Sequence, residues 1–232
     1  MKSKRIIVIV ATVLALCALT ICLAGCNSET STEYDAVKQN KKDNYTYLNE
    51  NYSQIKQTVF IGDSIIEIYN TELFNDETNT IYNRGISGDT SDKLLERLYD
   101  NALNISPQTL VVLVGTNDLS RKIKADTILN NISAVIDRSK QANVDNIIIC
   151  SLLPVNKSVN SQMVGSRKNE DIIAINKALK NACEQKQVTF VDIYYLLVDK
   201  DGNFDARYTY DGLHPNVKGY EVITQALKNV LE

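Results

Sequence analysis

Five short runs, at 58–61, 80–83, 109–114, 146–151 and 188–193, read as strands, and most are apolar at consecutive positions rather than at every second one. Successive side chains of a strand point to opposite faces, so such a strand has to be covered on both sides. Segments with helical periodicity lie between and after the runs, at 91–101, 125–141, 171–185 and 216–231. Alternation of this kind selects a parallel sheet with helices on both faces. The expected fold is an α/β three-layer α/β/α sandwich with a central, mostly parallel five-stranded sheet of flavodoxin-like type.

The N-terminal region differs in kind. Lys2, Lys4 and Arg5 precede an unbroken apolar run over 6–24, the pattern of a secretory signal peptide. The run ends in Leu23, Ala24, Gly25 and Cys26, which resembles the lipobox of bacterial lipoproteins. That resemblance implies lipidation at Cys26 and an extracytoplasmic protein held to a membrane by its lipid. An uncleaved anchor is the alternative, since the stretch is about long enough to span a bilayer. Residues 1–25 are thus read as signal peptide, 26–53 as a polar tether with a short helix near its end, and 54–232 as one folded domain.

Losing the three basic residues of the signal takes the formal charge from −3 to −6, which argues against nucleic acid as a partner. Of five cysteines, Cys17 and Cys22 leave with the signal and Cys26 carries the lipid. Cys150 and Cys183 remain, and apolar flanks favour core thiols over a disulfide, although an oxidising compartment leaves pairing open. With one histidine in the chain and no cluster at ligand spacing, no metal site is expected.

In a parallel sheet, functional groups gather beyond the carboxyl ends of the strands. Four polar blocks fall at such places: Gly62, Asp63 and Ser64 after the first strand; Ser87, Gly88, Asp89 and Thr90 after the second; Gly115, Thr116, Asn117 and Asp118 after the third; and Asp211 to Pro215 before the last helix. Acyl transfer needs a nucleophile, a base, a group that orients the base, and donors for the oxyanion. Ser64, His214 and Asp211 meet the first three needs. Ser64 as a helix cap and Asn117 as a turn residue are the plain structural alternatives. Asp63, Asp89 and Asp118 are read as loop braces, with Asp63 the rival to Asp211 as triad acid.

In order and content these blocks resemble those of the SGNH (GDSL-type) hydrolases, across 60–215. The resemblance implies Ser64 as nucleophile, Asp211 and His214 as the rest of a catalytic triad, and an oxyanion hole of the Ser64 and Gly88 N–H groups with the Asn117 amide. Ile65 departs from the leucine of the GDSL name. A glycine-x-serine-x-glycine elbow is excluded by Ile66. The implied activity is that of a serine esterase without a cofactor. The polar stretch 154–169, expected to overhang the crevice, favours short acyl groups on a carbohydrate or other polar carrier. A lysophospholipase, lipase or thioesterase of the same family is the alternative, and a binding lipoprotein without catalysis is the competing class. Oligomeric state is not legible.

Overall fold

The computed structural model describes residues 32–51, 57–74 and 80–231. The expected signal segment, residues 1–25, and the expected lipidation site Cys26 lie outside the described residues. Two compact units separate, Met1–Asp43 and Asn44–Glu232. Of the first, residues 32–43 are described; they are helical and mostly exposed, with Gln39 donating to Asp43 at 2.8 Å.

In the second unit, β1 (Thr58–Gly62), β2 (Ile81–Gly85), β3 (Thr109–Leu113), β4 (Asn146–Cys150) and β5 (Thr189–Val191) form a sheet of order β2-β1-β3-β4-β5. Every pairing is parallel, with Gly62 level with Gly85 on one side and with Leu113 on the other. The expected sandwich is therefore present and its sheet is wholly parallel. The chain moves outward from β1 to β2, then returns past β1 to β3. That reversal opens a crevice at the carboxyl ends of β1 and β3.

Labelling the helical residues 44–51 of this unit as α1, the others are α2 (Ser64–Ile68), α3 (Ser91–Asn101), α4 (Thr116–Ser120), α5 (Ala125–Gln141), α6 (Ser161–Val164), α7 (Asn169–Lys186) and α8 (Val217–Leu231). Consecutive strand residues feed opposite layers. Val59, Ile61, Leu110, Val112, Ile147 and Ile149 pack with α3, α5 and α7 through Leu94, Leu98, Ile132, Val135, Ile175 and Leu179. Phe60, Val111, Leu113, Ile148 and Val191 pack with α2 and α8 through Ile65, Ile66, Ile223 and Leu227. The consecutive apolar residues of the strands are explained by this double burial, worth about 1.5–3 kcal/mol for each large aliphatic side chain.

Both thiols are free and buried, Cys150 in the layer of α8 and Cys183 in the layer of α7. Residues 44–51, which the sequence reading gave to the tether, pack on the domain. Tyr45 and Asn49 are buried at a helical i,i+4 spacing. The Tyr45 hydroxyl donates to Gly85 O at 3.0 Å, and Asn49 Oδ1 accepts from Arg84 Nη2 at 2.6 Å. Polar contacts such as these, with Asn49 also donating to Asn104 Oδ1 and Asn101 to Thr46 Oγ1, hold this segment where an apolar stripe does not, and apolar periodicity therefore gives no signal of it.

Candidate active site

Ser64 opens α2 immediately beyond β1, where Asp63 caps the helix by accepting from Ile65 N at 2.9 Å. The first N–H groups of a helix have no acceptor within it, so the Ser64 N–H is not used by the helix. The Ser64 side chain is brought to the last loop of the domain. Its Oγ lies 3.0 Å from His214 Nε2, and His214 Nδ1 lies 2.8 Å from Asp211 Oδ2.

Asp211 is fixed by its own loop. Its Oδ1 accepts from the N–H of His214 at 2.8 Å and of Leu213 at 3.0 Å. Burial alone would raise its pKa, but these bonds and the one to the imidazole together outweigh it and hold the carboxyl below the usual range. An ionised Asp211 accepts Nδ1–H, which leaves the Nε2 lone pair for the hydroxyl proton of Ser64. Thr209 pins the loop by donating to His214 O at 2.8 Å and accepting from Gly212 N at 2.9 Å. Gly212 has φ 78, and a Cβ there would sit 2.2 Å from Asn156 O, so the close approach of the 154–160 segment requires glycine.

The other two blocks flank the serine. Gly88 sits at φ 74 in a turn closed by Asp89 N–H donating to Ile86 O at 3.1 Å, and Arg121 donates to Gly88 O at 3.1 Å. Asn117 lies in the first turn of α4, and its Nδ2 donates to Asp89 O at 3.0 Å. That bond takes one of two amide protons and leaves one for a ligand.

The three aspartates expected to brace loops do so. Asp118 accepts from Ser91 N at 2.9 Å and from Ser91 Oγ at 2.6 Å, joining α4 to α3. Asp89 pairs with Arg97 at 2.7 Å, both nearly fully buried. Arg97 was not legible as a site residue, because it reads as one polar position on an amphipathic helix. Folded, it also donates to Arg84 O at 2.8 Å and Gly62 O at 2.9 Å, tying together the ends of β1 and β2 from which the serine and glycine loops leave. Arg167 was missed too; it donates to Asn117 Oδ1 at 3.2 Å from the far side of the sequence.

Asp63 caps α2 rather than meeting the imidazole. It is wholly buried, and among the described residues its Oδ2 has no hydrogen-bond partner. Burial raises its pKa to about 7 against the lowering by the Ile65 N–H, with the nearby charge of Asp89 adding to the rise. The folded state then holds a proton that the unfolded chain releases near pH 3.8. The stabilisation from Asp63 is complete below that value and is lost as pH rises through about 7. Asp63→Asn, which keeps the cap acceptor and cannot ionise, is expected to gain on wild type by about 2–4 kcal/mol between pH 4 and pH 8. Thermal unfolding of both proteins across that range measures it; a constant offset would show that Asp63 is ionised in the fold.

Comparison with known proteins agrees with this arrangement. Residues 60–222 match the GDSL-like Lipase/Acylhydrolase family. Platelet-activating factor acetylhydrolase IB subunit alpha1 of Bos taurus is 28% identical over 183 residues, covering 75% of each chain. A solved structure from Streptococcus pneumonia superposes with a TM-score of 0.83 at 30% identity, covering 90% of this chain and 99% of that one. A GDSL-like lipase from Bacteroides thetaiotaomicron gives a TM-score of 0.73 at 26% identity, covering 82% and 96%. With the family matched across the strands and loops that carry all four blocks, the chain belongs to the GDSL-like Lipase/Acylhydrolase (SGNH) family and is a serine ester hydrolase.

Proposed function

We propose that this enzyme removes short acyl groups, chiefly acetyl, from a polar carrier such as a glycan, through an acyl-enzyme on Ser64. The observation that carries the catalytic reading is the unbroken relay from Ser64 Oγ to His214 Nε2 at 3.0 Å and from His214 Nδ1 to Asp211 at 2.8 Å. His214 takes the Ser64 proton as Oγ attacks the ester carbonyl, and passes it to the leaving alkoxide. Water, deprotonated by the same imidazole, then attacks the acyl carbonyl, and the acid leaves as His214 returns that proton to Ser64 Oγ. The N–H groups of Ser64 and Gly88 and the free Asn117 amide proton stabilise the oxyanion in both steps.

The short-acyl reading is supported by the segment that adjoins the catalytic loop. Asn156 N–H donates to Gly212 O at 2.8 Å, which seats 154–160 against the loop carrying His214. Lys157, Ser158, Asn160, Ser161 and Gln162 are exposed along it, and the apolar residues exposed there are Val159 and Met163. A long acyl chain would find little apolar surface on such a rim. The acetylhydrolase named among the relatives points the same way.

The test is kcat/KM on p-nitrophenyl acetate, butyrate and octanoate beside acetylated oligosaccharides and lysophospholipid, using the full chain in detergent. We expect a fall of about ten-fold or more from acetate to octanoate, the order of a few misplaced methylenes in a pocket. A preference for octanoate or lysophospholipid would reject the short-acyl reading in favour of a lipase-like one.

A further inference from the structure

The Asn117 amide is held from both ends. Nδ2 donates to Asp89 O, and Oδ1 accepts from Arg167 Nη2 at 3.2 Å. Arg167 lies fifty residues away, in the link between α6 and α7, yet it is 4% exposed. Each arm of its guanidinium is engaged. Nε donates to Thr116 O at 2.8 Å and Thr116 Oγ1 at 3.0 Å, while Nη1 donates to Met163 O at 3.1 Å and Val164 O at 3.0 Å. Beside it, Ser166 Oγ donates to Leu119 O at 3.0 Å and Ser120 O at 2.9 Å. The 163–167 segment thus grips α4 at both of its ends.

This grip matters because α4 has only five residues, too few to hold a helical shape alone. A free asparagine at its start would sample several rotamers and both amide orientations. The forked guanidinium removes that freedom by binding Thr116 O and Asn117 Oδ1 together, which fixes the Asn117 backbone and its side-chain carbonyl as one unit. The positive guanidinium beside Oδ1 also draws electron density through the amide and strengthens the remaining N–H as a donor.

We infer that Arg167 is a positioning residue for the oxyanion hole, acting on the transition state through Asn117 without touching substrate. This rests on the proposed role of Asn117 as an oxyanion donor. A solely structural Arg167 would tie the 163–167 segment to α4 and affect folding, with no dependence on the Asn117 side chain.

The experiment is a double-mutant cycle on the full chain with p-nitrophenyl acetate, using Arg167→Lys, Asn117→Ala and the pair, with folding checked by near-UV circular dichroism. A lysine keeps the charge but cannot span Thr116 O and Asn117 Oδ1 together. We expect Arg167→Lys to lower kcat about ten- to hundred-fold with KM within about three-fold, a fraction of what a whole oxyanion donor supplies. In the Asn117→Ala background the same change should cost less than about two-fold, because the group it acts through is gone. An equal loss in both backgrounds, a loss confined to KM, or wild-type kcat would overturn the inference. Full activity of Asn117→Ala would instead sink the oxyanion reading beneath it. Should Arg167→Lys not fold, Arg167→Gln, which keeps amide donors without charge, runs the same cycle and is read by the same criteria.

Discussion

Ser64→Ala and His214→Ala are each expected to lower kcat by about five to six orders of magnitude, and the double mutant to be scarcely worse than either, because nucleophile and base act as a unit. His214 is the one histidine in the chain, so the untagged protein holds no second imidazole to substitute for it. Asp211→Asn should be severe but less complete, on the order of ten-thousand-fold, since an amide at Oδ2 favours the wrong tautomer of His214 while leaving Ser64 in place. An organophosphorus probe should label Ser64 in wild type and react far more slowly with His214→Ala. Both variants should unfold near the wild-type temperature, since the small Ser64 hydroxyl, though buried, and the part-exposed imidazole lie at a helix start and a loop and contribute little core packing. Undiminished labelling and turnover in folded His214→Ala would remove the proposed triad and reopen the binding-protein alternative.

The next largest expected effect belongs to Asn117→Ala. Loss of one oxyanion donor typically costs about two to three orders of magnitude in kcat, and because the donor serves the transition state more than the ground state, KM should change little. The substitution also removes the bond to Asp89 O and leaves Arg167 Nη2 without its Asn117 acceptor. A moderate fall in stability, about 1–3 kcal/mol, is therefore expected beside the kinetic loss. The two effects separate by measuring kcat well below the unfolding temperature. A folded mutant with normal kcat would make Asn117 a turn residue and nothing more.

Ser64, Asp211 and His214 are legible from the local chemistry of their blocks, a helix start and an aspartate three residues before a histidine, whereas Gly88 and Asn117 are implied by the resemblance of their blocks to those of the SGNH hydrolases. The sandwich was legible for a similar reason, since strands buried on both faces leave consecutive apolar residues and helices on a sheet leave a periodic stripe. Element ends shifted by a few residues, as at β2, expected over 80–83 and found at Ile81–Gly85. The polar residues Asn83 and Arg84 conceal that strand's end: Asn83 Nδ2 bonds Ile66 O and Tyr69 O, and Arg84 bonds Asn49.

Only the tertiary structure decided which groups meet. The 3.0 Å approach of Ser64 to His214 closes a gap of 150 residues; the sequence places both blocks at the carboxyl edge of the sheet, and only packing sets the distance and direction between the two side chains. The choice between Asp63 and Asp211 was likewise a matter of packing. Asp63 points its carboxyl into a helix cap, and Asp211 bends back on its own loop to the imidazole. Arg97 and Arg167 were invisible for a third reason. A buried arginine satisfies its fork with main-chain carbonyls from several segments, and carbonyls belong to every residue alike, so sequence carries no mark of where they converge. Local side-chain chemistry therefore determined the parts of this site, and the meeting of distant backbone segments determined how rigidly they are held.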